Sequence, residues 1–283
     1  FNNAGEIDKQ SFFSLVDAQI DANVDGIVVC GSTGEGATMS ALEKLELFRW
    51  TTERVNGRIA VIAGTGSNDT KATIDLSKRV KQLGVDALLL VTPYYNKPTP
   101  AGQVAHYKAI SEAVDLPQIM YNVPARTATN MTAATQLEIA RACPNVVATK
   151  EASANLEQIS DIISNAPSHF KVLAGDDSLA LPIISAGGTG TIAVISNYLP
   201  RTFGELIRAC RKGDLARAIQ IQKKLMPLYQ INFIESNPGP VKYIMYKMYG
   251  VNLTYRLPLV PPTPSSCSAI NAVIAHLDDL VDA

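Results

Sequence analysis

The sequence predicts an α/β fold: a (β/α)8 barrel with a C-terminal helical extension, its first barrel strand missing from this chain. Three observations carry that prediction. Seven short apolar runs alternate with amphipathic stretches at intervals of about 25–35 residues, and strands alternating with helices build a parallel sheet. Several runs are apolar without alternation, as strands buried on both faces are. A doubly wound sheet would carry Gly-x-Gly-x-x-Gly after its first strand, and the nearest approach, Gly64-Thr65-Gly66, lacks the third glycine.

The elements follow in order. Residues 11–22 read as a helix. The apolar runs are 26–30, 59–64, 86–91, 117–121, 146–150, 170–175 and 189–195, each bounded by Gly, Pro or Asp. Between them lie helical patterns. Leu42, Leu45, Phe48 and Trp50 mark one, and Ile74, Leu76 and Val80 the next. Leu137, Ile139 and Ala140 mark a third, and Ile159, Ile162 and Ile163 a fourth. Asp69–Thr70, Thr132 and Asn155 supply helix starts, because their side-chain oxygens accept from unpaired first-turn N–H groups. Seven strands is one short of a barrel and a helix precedes the first, so the missing strand is expected ahead of Phe1. Residues 200–211, 214–233, 240–249 and 268–280 read as helices. The first completes a barrel over residues 1–212, and residues 213–283 form the extension. Within it, residues 257–264 hold four prolines and read as an extended linker.

Composition excludes several function classes. Hydrophobic residues are 47% and charged residues 18% of the 283, which rules out a disordered chain. A formal net charge of −1 leaves no electrostatic footprint for nucleic acid. No apolar run approaches the roughly 20 residues of a membrane span, so no membrane partner is expected. Cys30, Cys143, Cys210 and Cys267 form no CxxC pair. They read as buried small hydrophobes in a reducing cytoplasm. His106, His169 and His276 stand apart from one another and from every cysteine, so no metal site is expected.

In a barrel the chemistry sits at the C-terminal strand ends. Those ends hold Gly31-Ser32-Thr33-Gly34-Glu35, the 92–97 segment, Tyr121 to Arg126, Lys150-Glu151 and Gly175-Asp176-Asp177. Lys150 is the sharpest signal. An ordinary lysine titrates near about 10.4 and is an ammonium at neutral pH. Burial at a strand end disfavours that charge, and a neutral amine attacks a ketone to form a Schiff base. Taken alone, Lys150 is equally readable as a rim ion pair with Glu151 or another carboxylate. Ser32 and Thr33, beside free N–H groups, suit a carboxylate or simply cap a turn. Tyr95 and Tyr121 suit proton relay or aromatic packing. Arg126 suits a bidentate carboxylate grip or a solvated surface.

Together these segments resemble the dihydrodipicolinate synthase family of the pyruvate-dependent class I aldolases. The matching segments are GSTGE (31–35), AGTGSN (63–68), VTPYYNKPT (91–99), YNVPART (121–127), KEAS (150–153), AGDD (174–177) and NPGPVK (237–242), in the family's order. The resemblance implies roles. Lys150 is the Schiff-base lysine, and Tyr121 passes protons beside it. Tyr95 is donated across a tight dimer interface, and the Ser32 hydroxyl links the two tyrosines. Thr33 holds the pyruvate carboxylate, and Arg126 holds the carboxylate of the second substrate. Gly175 and Ile192 line the pocket with backbone. The implied reaction condenses pyruvate with L-aspartate-4-semialdehyde, towards diaminopimelate and lysine, with no metal or organic cofactor. The implied assembly is a homotetramer of two tight dimers.

Ser32 stands where the family usually has threonine. The same GSTGE form is common in the sister N-acetylneuraminate lyases, so the second reading is another pyruvate-dependent 2-keto acid aldolase. Arg126 and the Tyr94–Tyr95 pair favour the synthase. A non-enzymatic pyruvate-binding paralogue would be expected to lose Lys150 or a tyrosine, and both tyrosines and the lysine stand. Lysine-inhibited members of enterobacterial type carry a glutamate at the position of Ala72 and histidines at those of Ala41 and Lys44. The resemblance therefore implies weak or absent feedback inhibition here.

Overall fold

The computed structural model describes residues 1–277. Its first half runs α1 (Lys9–Asp21), β1 (Gly26–Val29), α2 (Ala41–Val55), β2 (Ala60–Gly64), α3 (Thr70–Lys81), β3 (Ala87–Val91), α4 (Pro100–Ala113) and β4 (Gln118–Asn122). There follow α5 (Pro124–Thr127), α6 (Ala133–Ala142), β5 (Val146–Glu151), α7 (Leu156–Asn165), β6 (Lys171–Ala174), α8 (Ala180–Ser185), β7 (Gly190–Thr191) and α9 (Pro200–Lys212). Three further helices are α10 (Leu215–Asn232), α11 (Gly239–Tyr249) and α12 (Pro264–Ile274). The seven strands hydrogen-bond in chain order, β1 to β7, and every neighbouring pair is parallel. This is the curled wall of a barrel-type α/β fold, with the C-terminal helices added to it.

The helices start where local chemistry tells them to. The Asp69 carboxylate accepts from Lys71 N at 2.8 Å to open α3. Thr132 and Asn155 cap α6 and α7 in the same way. Each such cap is worth about 1 kcal/mol.

Side chains alternate across each strand, so the sheet separates two cores. Leu88, Leu90 and Met120 face outward into the large core shared with the helices. Leu89, Ile119, Tyr121 and Ala148 face inward and pack with Leu173 and Ile192. On β5 this alternation turns Lys150 inward and Glu151 outward.

Two elements differ from the sequence reading by more than two residues. The run 189–195 pairs as a strand only over Gly190–Thr191. The Asp177 carboxylate takes the N–H groups of Val194 at 2.8 Å and Ile195 at 2.6 Å, which removes them from the sheet ladder. The last helix begins at Pro264 rather than residue 268, because Thr263 caps it by accepting from Ser266 N and a proline suits its first turn. Residues 278–280 of the expected helix lie outside the described residues. Cys30 and Cys143 are buried as expected, whereas Cys210 and Cys267 are only half-buried.

The extension folds back onto the barrel rather than hanging from it. Arg256 donates to Gly5 O at 2.8 Å and to Glu43 Oε1 at 2.5 Å. Lys242 donates to Glu35 Oε2 at 2.8 Å. Among the described residues no helix is long and apolar enough to cross a membrane.

Candidate active site

Lys150 sits one residue from the end of β5, with 9% of its surface exposed. Its register partner on β4 is Tyr121, and its Nζ lies 4.3 Å from the centroid of the Tyr121 ring. Burial lowers the lysine pKa to about 8, reinforced by Arg126 and opposed by the negative charges of Asp177 and Asp176. The ammonium is thus poised to lose its proton near neutrality, the state a nucleophilic amine needs.

Glu151 does not pair with Lys150. It lies fully buried on the other face of the strand. It accepts from Asn122 Nδ2 at 2.8 Å, Gln136 Nε2 at 2.9 Å and Gln158 Nε2 at 3.3 Å. Of the two readings open for Lys150, the rim ion pair with its neighbour is therefore not formed. Burial pushes the Glu151 carboxyl above its ordinary range, and these donors partly offset that.

Burial raises the Tyr121 phenol to about 12, against a small lowering from the Arg126 charge and Ser32. Ser32 and Thr33 lie on the turn after β1, closed by Gly36. A Cβ at Gly36 would stand 2.2 Å from Cys30 O, so only glycine permits the turn. Thr33 Oγ1 accepts from Asn237 Nδ2 at 2.9 Å. Arg126, on α5, donates from Nη2 to Asn237 O at 3.1 Å. Gly175 follows β6 and donates its N–H to Glu151 O at 2.8 Å. A Cβ there would meet Ala152 Cβ at 2.6 Å, so glycine lets the two strand ends close up. Ile192 donates its N–H to Ala174 O at 3.0 Å and packs in the inner core beside Tyr121.

The fold thus gathers Lys150, Tyr121, Ser32, Thr33, Arg126, Gly175 and Ile192 at one end of the sheet. Tyr95 stands apart. It follows β3 with 88% of its surface exposed and a φ of +72°, and its hydroxyl makes no hydrogen bond among the described residues.

Sequence reasoning assigned no role to three groups that belong here. Asp177 is almost wholly buried, and desolvation raises its carboxyl to about 6. Asp176 is shifted upward for the same reason, against the pull of Lys150 and Arg126. Asn237 holds Thr33 and Arg126 from the extension. The signals were present in AGDD and NPGPVK, but neither segment says what its side chains touch.

A buried lysine of lowered pKa, inside the end of a parallel α/β barrel wall and against a tyrosine, defines the imine-forming class of barrel aldolases. The comparisons agree with that class and narrow it. The chain belongs to the Dihydrodipicolinate synthetase family, whose sequence model matches residues 1–277. It is 46% identical over 268 residues to the 4-hydroxy-tetrahydrodipicolinate synthase of Maridesulfovibrio salexigens, covering 95% of this chain and 92% of that one. It is 43% identical over 278 residues to the enzyme of the same name from Bacillus subtilis, covering 98% and 96%. The crystal structure of dihydrodipicolinate synthase from Aquifex aeolicus superposes with a TM-score of 0.95 at 38% identity, over 99% of this chain and 95% of that one.

Proposed function

We propose that this protein is a lyase of the class I aldolase type that condenses pyruvate with L-aspartate-4-semialdehyde to form 4-hydroxy-tetrahydrodipicolinate, in diaminopimelate and lysine biosynthesis. The single observation that carries the chemistry is Lys150, buried and lowered to about 8 against Tyr121. The relatives' shared name supports the choice of substrates.

The neutral Lys150 amine adds to the pyruvate ketone, and loss of water leaves a protonated imine. That imine withdraws electrons, so the neighbouring methyl loses a proton and becomes an enamine. The enamine carbon bonds to the aldehyde carbon of the second substrate, whose oxygen takes up a proton. The substrate's own amine then adds to the imine carbon. The carbon–nitrogen bond to Lys150 breaks, the ring closes and the lysine is released. The imine nitrogen itself is the electron sink, so the sequence of steps calls for no metal or organic cofactor.

Tyr121 is the proton carrier, because its ring lies against the amine and Ser32 eases the ionisation of its hydroxyl. Thr33 receives the pyruvate carboxylate, and Arg126 the carboxylate of the aldehyde. The exposure of Tyr95 supports its donation into a neighbouring subunit's site within a homotetramer of tight dimers. A cytoplasmic location accompanies a biosynthetic role of this kind.

Borohydride reduction in the presence of pyruvate tests this reading. The expected product is one adduct that maps by mass spectrometry to Lys150. An adduct on another lysine, or none, overturns it.

A further inference from the structure

Asn237 belongs to the segment ahead of α11, two hundred and four positions along the chain from Thr33. It is nonetheless buried, with 3% of its surface exposed. Its side-chain nitrogen donates to Thr33 Oγ1 at 2.9 Å, and its carbonyl accepts from Arg126 Nη2 at 3.1 Å. One residue of the extension therefore touches both groups that the proposed function gives to substrate carboxylates.

The polarity of the first bond matters. A threonine hydroxyl has one proton to give and two lone pairs to receive with, and an amide N–H₂ can only give. Once Thr33 Oγ1 receives from Asn237, its own proton is left to point elsewhere. Among the described residues, that hydroxyl donates to no protein acceptor. Half-buried on the turn after β1, next to Ser32 in the chain, it is free to donate to an incoming anion. A second observation marks the site as more than packing. Among the described residues Asn237 Oδ1 is buried with no hydrogen-bond partner, a cost that native folds carry mainly where function or strain asks for it.

We propose that Asn237 is a positioning residue that fixes the Thr33 hydroxyl as a donor toward the carboxylate of pyruvate. The assignment rests on the proposed function, because it takes Thr33 as the pyruvate-binding hydroxyl. Asn237 touches no reacting atom. It acts by setting which way one proton points, and it ties that setting to the C-terminal extension.

The measurement is the pyruvate concentration that half-saturates borohydride trapping on Lys150, with no aldehyde present. Wild-type protein that traps no pyruvate on Lys150 would bring down the proposed function and this inference together. With trapping established, the Asn237 series decides the inference alone. Asn237→Ala leaves the hydroxyl unoriented and should raise half-saturation roughly 2–12-fold, the size of one net hydrogen bond. Trapping at saturating pyruvate should be unchanged. Asn237→Asp, nearly the same shape, offers only acceptors, so it turns the Thr33 proton away from the ligand and should raise half-saturation further. In a Thr33→Val background there is no proton to orient, and Asn237→Ala should add nothing. An Asn237→Ala effect of equal size in that background overturns the inference, as does half-saturation unchanged from wild type. A merely structural role would also lower the saturating amount trapped, and that result overturns it too.

Discussion

Tyr121 and Lys150 occupy one rung of the β4–β5 ladder, and the next rung pairs Asn122 with Glu151. The first rung faces the inside of the barrel wall and holds the amine against an aromatic ring. The second faces the helices and closes a buried carboxylate with amides. One strand thus presents its reactive group inward and anchors itself outward. Because the Lys150 pKa is lowered to about 8, the rate of imine formation should climb as pH rises and level off above about 8. A stopped-flow pH series with pyruvate alone checks this. A rate still climbing steeply toward 10.5 would mean an unperturbed lysine.

The same shift has a cost in stability. Folded Lys150 titrates at about 8 and the unfolded side chain at 10.5, so between those values the unfolded chain binds more protons. Stability then rises with pH across that window, and the full penalty is present below it. Each unit is about 1.4 kcal/mol, so the buried ammonium costs on the order of 3 kcal/mol as an upper bound. Lys150→Met should therefore be inactive yet more stable at pH 7 by about 1–3 kcal/mol. Denaturant melts should show that advantage shrinking as pH approaches 10.5.

Arg126→Ala should weaken the aldehyde substrate far more than pyruvate. A charge-assisted contact to a carboxylate is worth roughly 1.5–3 kcal/mol, or about 10–150-fold in KM. Steady-state kinetics with each substrate varied in turn measure the two effects. Equal losses would assign Arg126 to the support of Asn237 and the pocket as a whole.

Tyr95, exposed and in left-handed backbone, should act only from a neighbouring subunit. Inactive Tyr95→Phe and inactive Lys150→Ala protomers, mixed and allowed to exchange, should regain part of the wild-type rate in hybrid dimers. Absence of recovery after exchange is confirmed by native mass spectrometry would confine Tyr95 to packing.

Free lysine should inhibit weakly or not at all. Ala72 stands on α3 and Ala41 and Lys44 on α2, where the resemblance gives inhibited relatives a glutamate and two histidines. The ligand's ammonium would lose its charge partner and gain a like charge from Lys44. Titration into the millimolar range checks this, and strong inhibition below 1 mM would contradict it.

Much of this architecture was legible because it is local. All seven runs became strands in the order read, since apolar segments of this length can bury both faces only inside a parallel sheet covered by helices. Asp69, Thr132 and Asn155 capped helices as their side chains dictate. Lys150 was readable because a cation ending an apolar run is costly wherever it lies. Pairing between distant residues was not legible. No pattern in the chain says that Glu151 meets Asn122 and Gln136, that Asp177 cuts β7 short, or that Asn237 reaches Thr33. Strand periodicity assigns each strand side chain to a face, so the sequence by itself determined that Tyr121 and Lys150 share one face and Glu151 takes the other. Which acceptor each donor meets depends on how seven strands and a returning extension stack in space, and only the tertiary structure decided that.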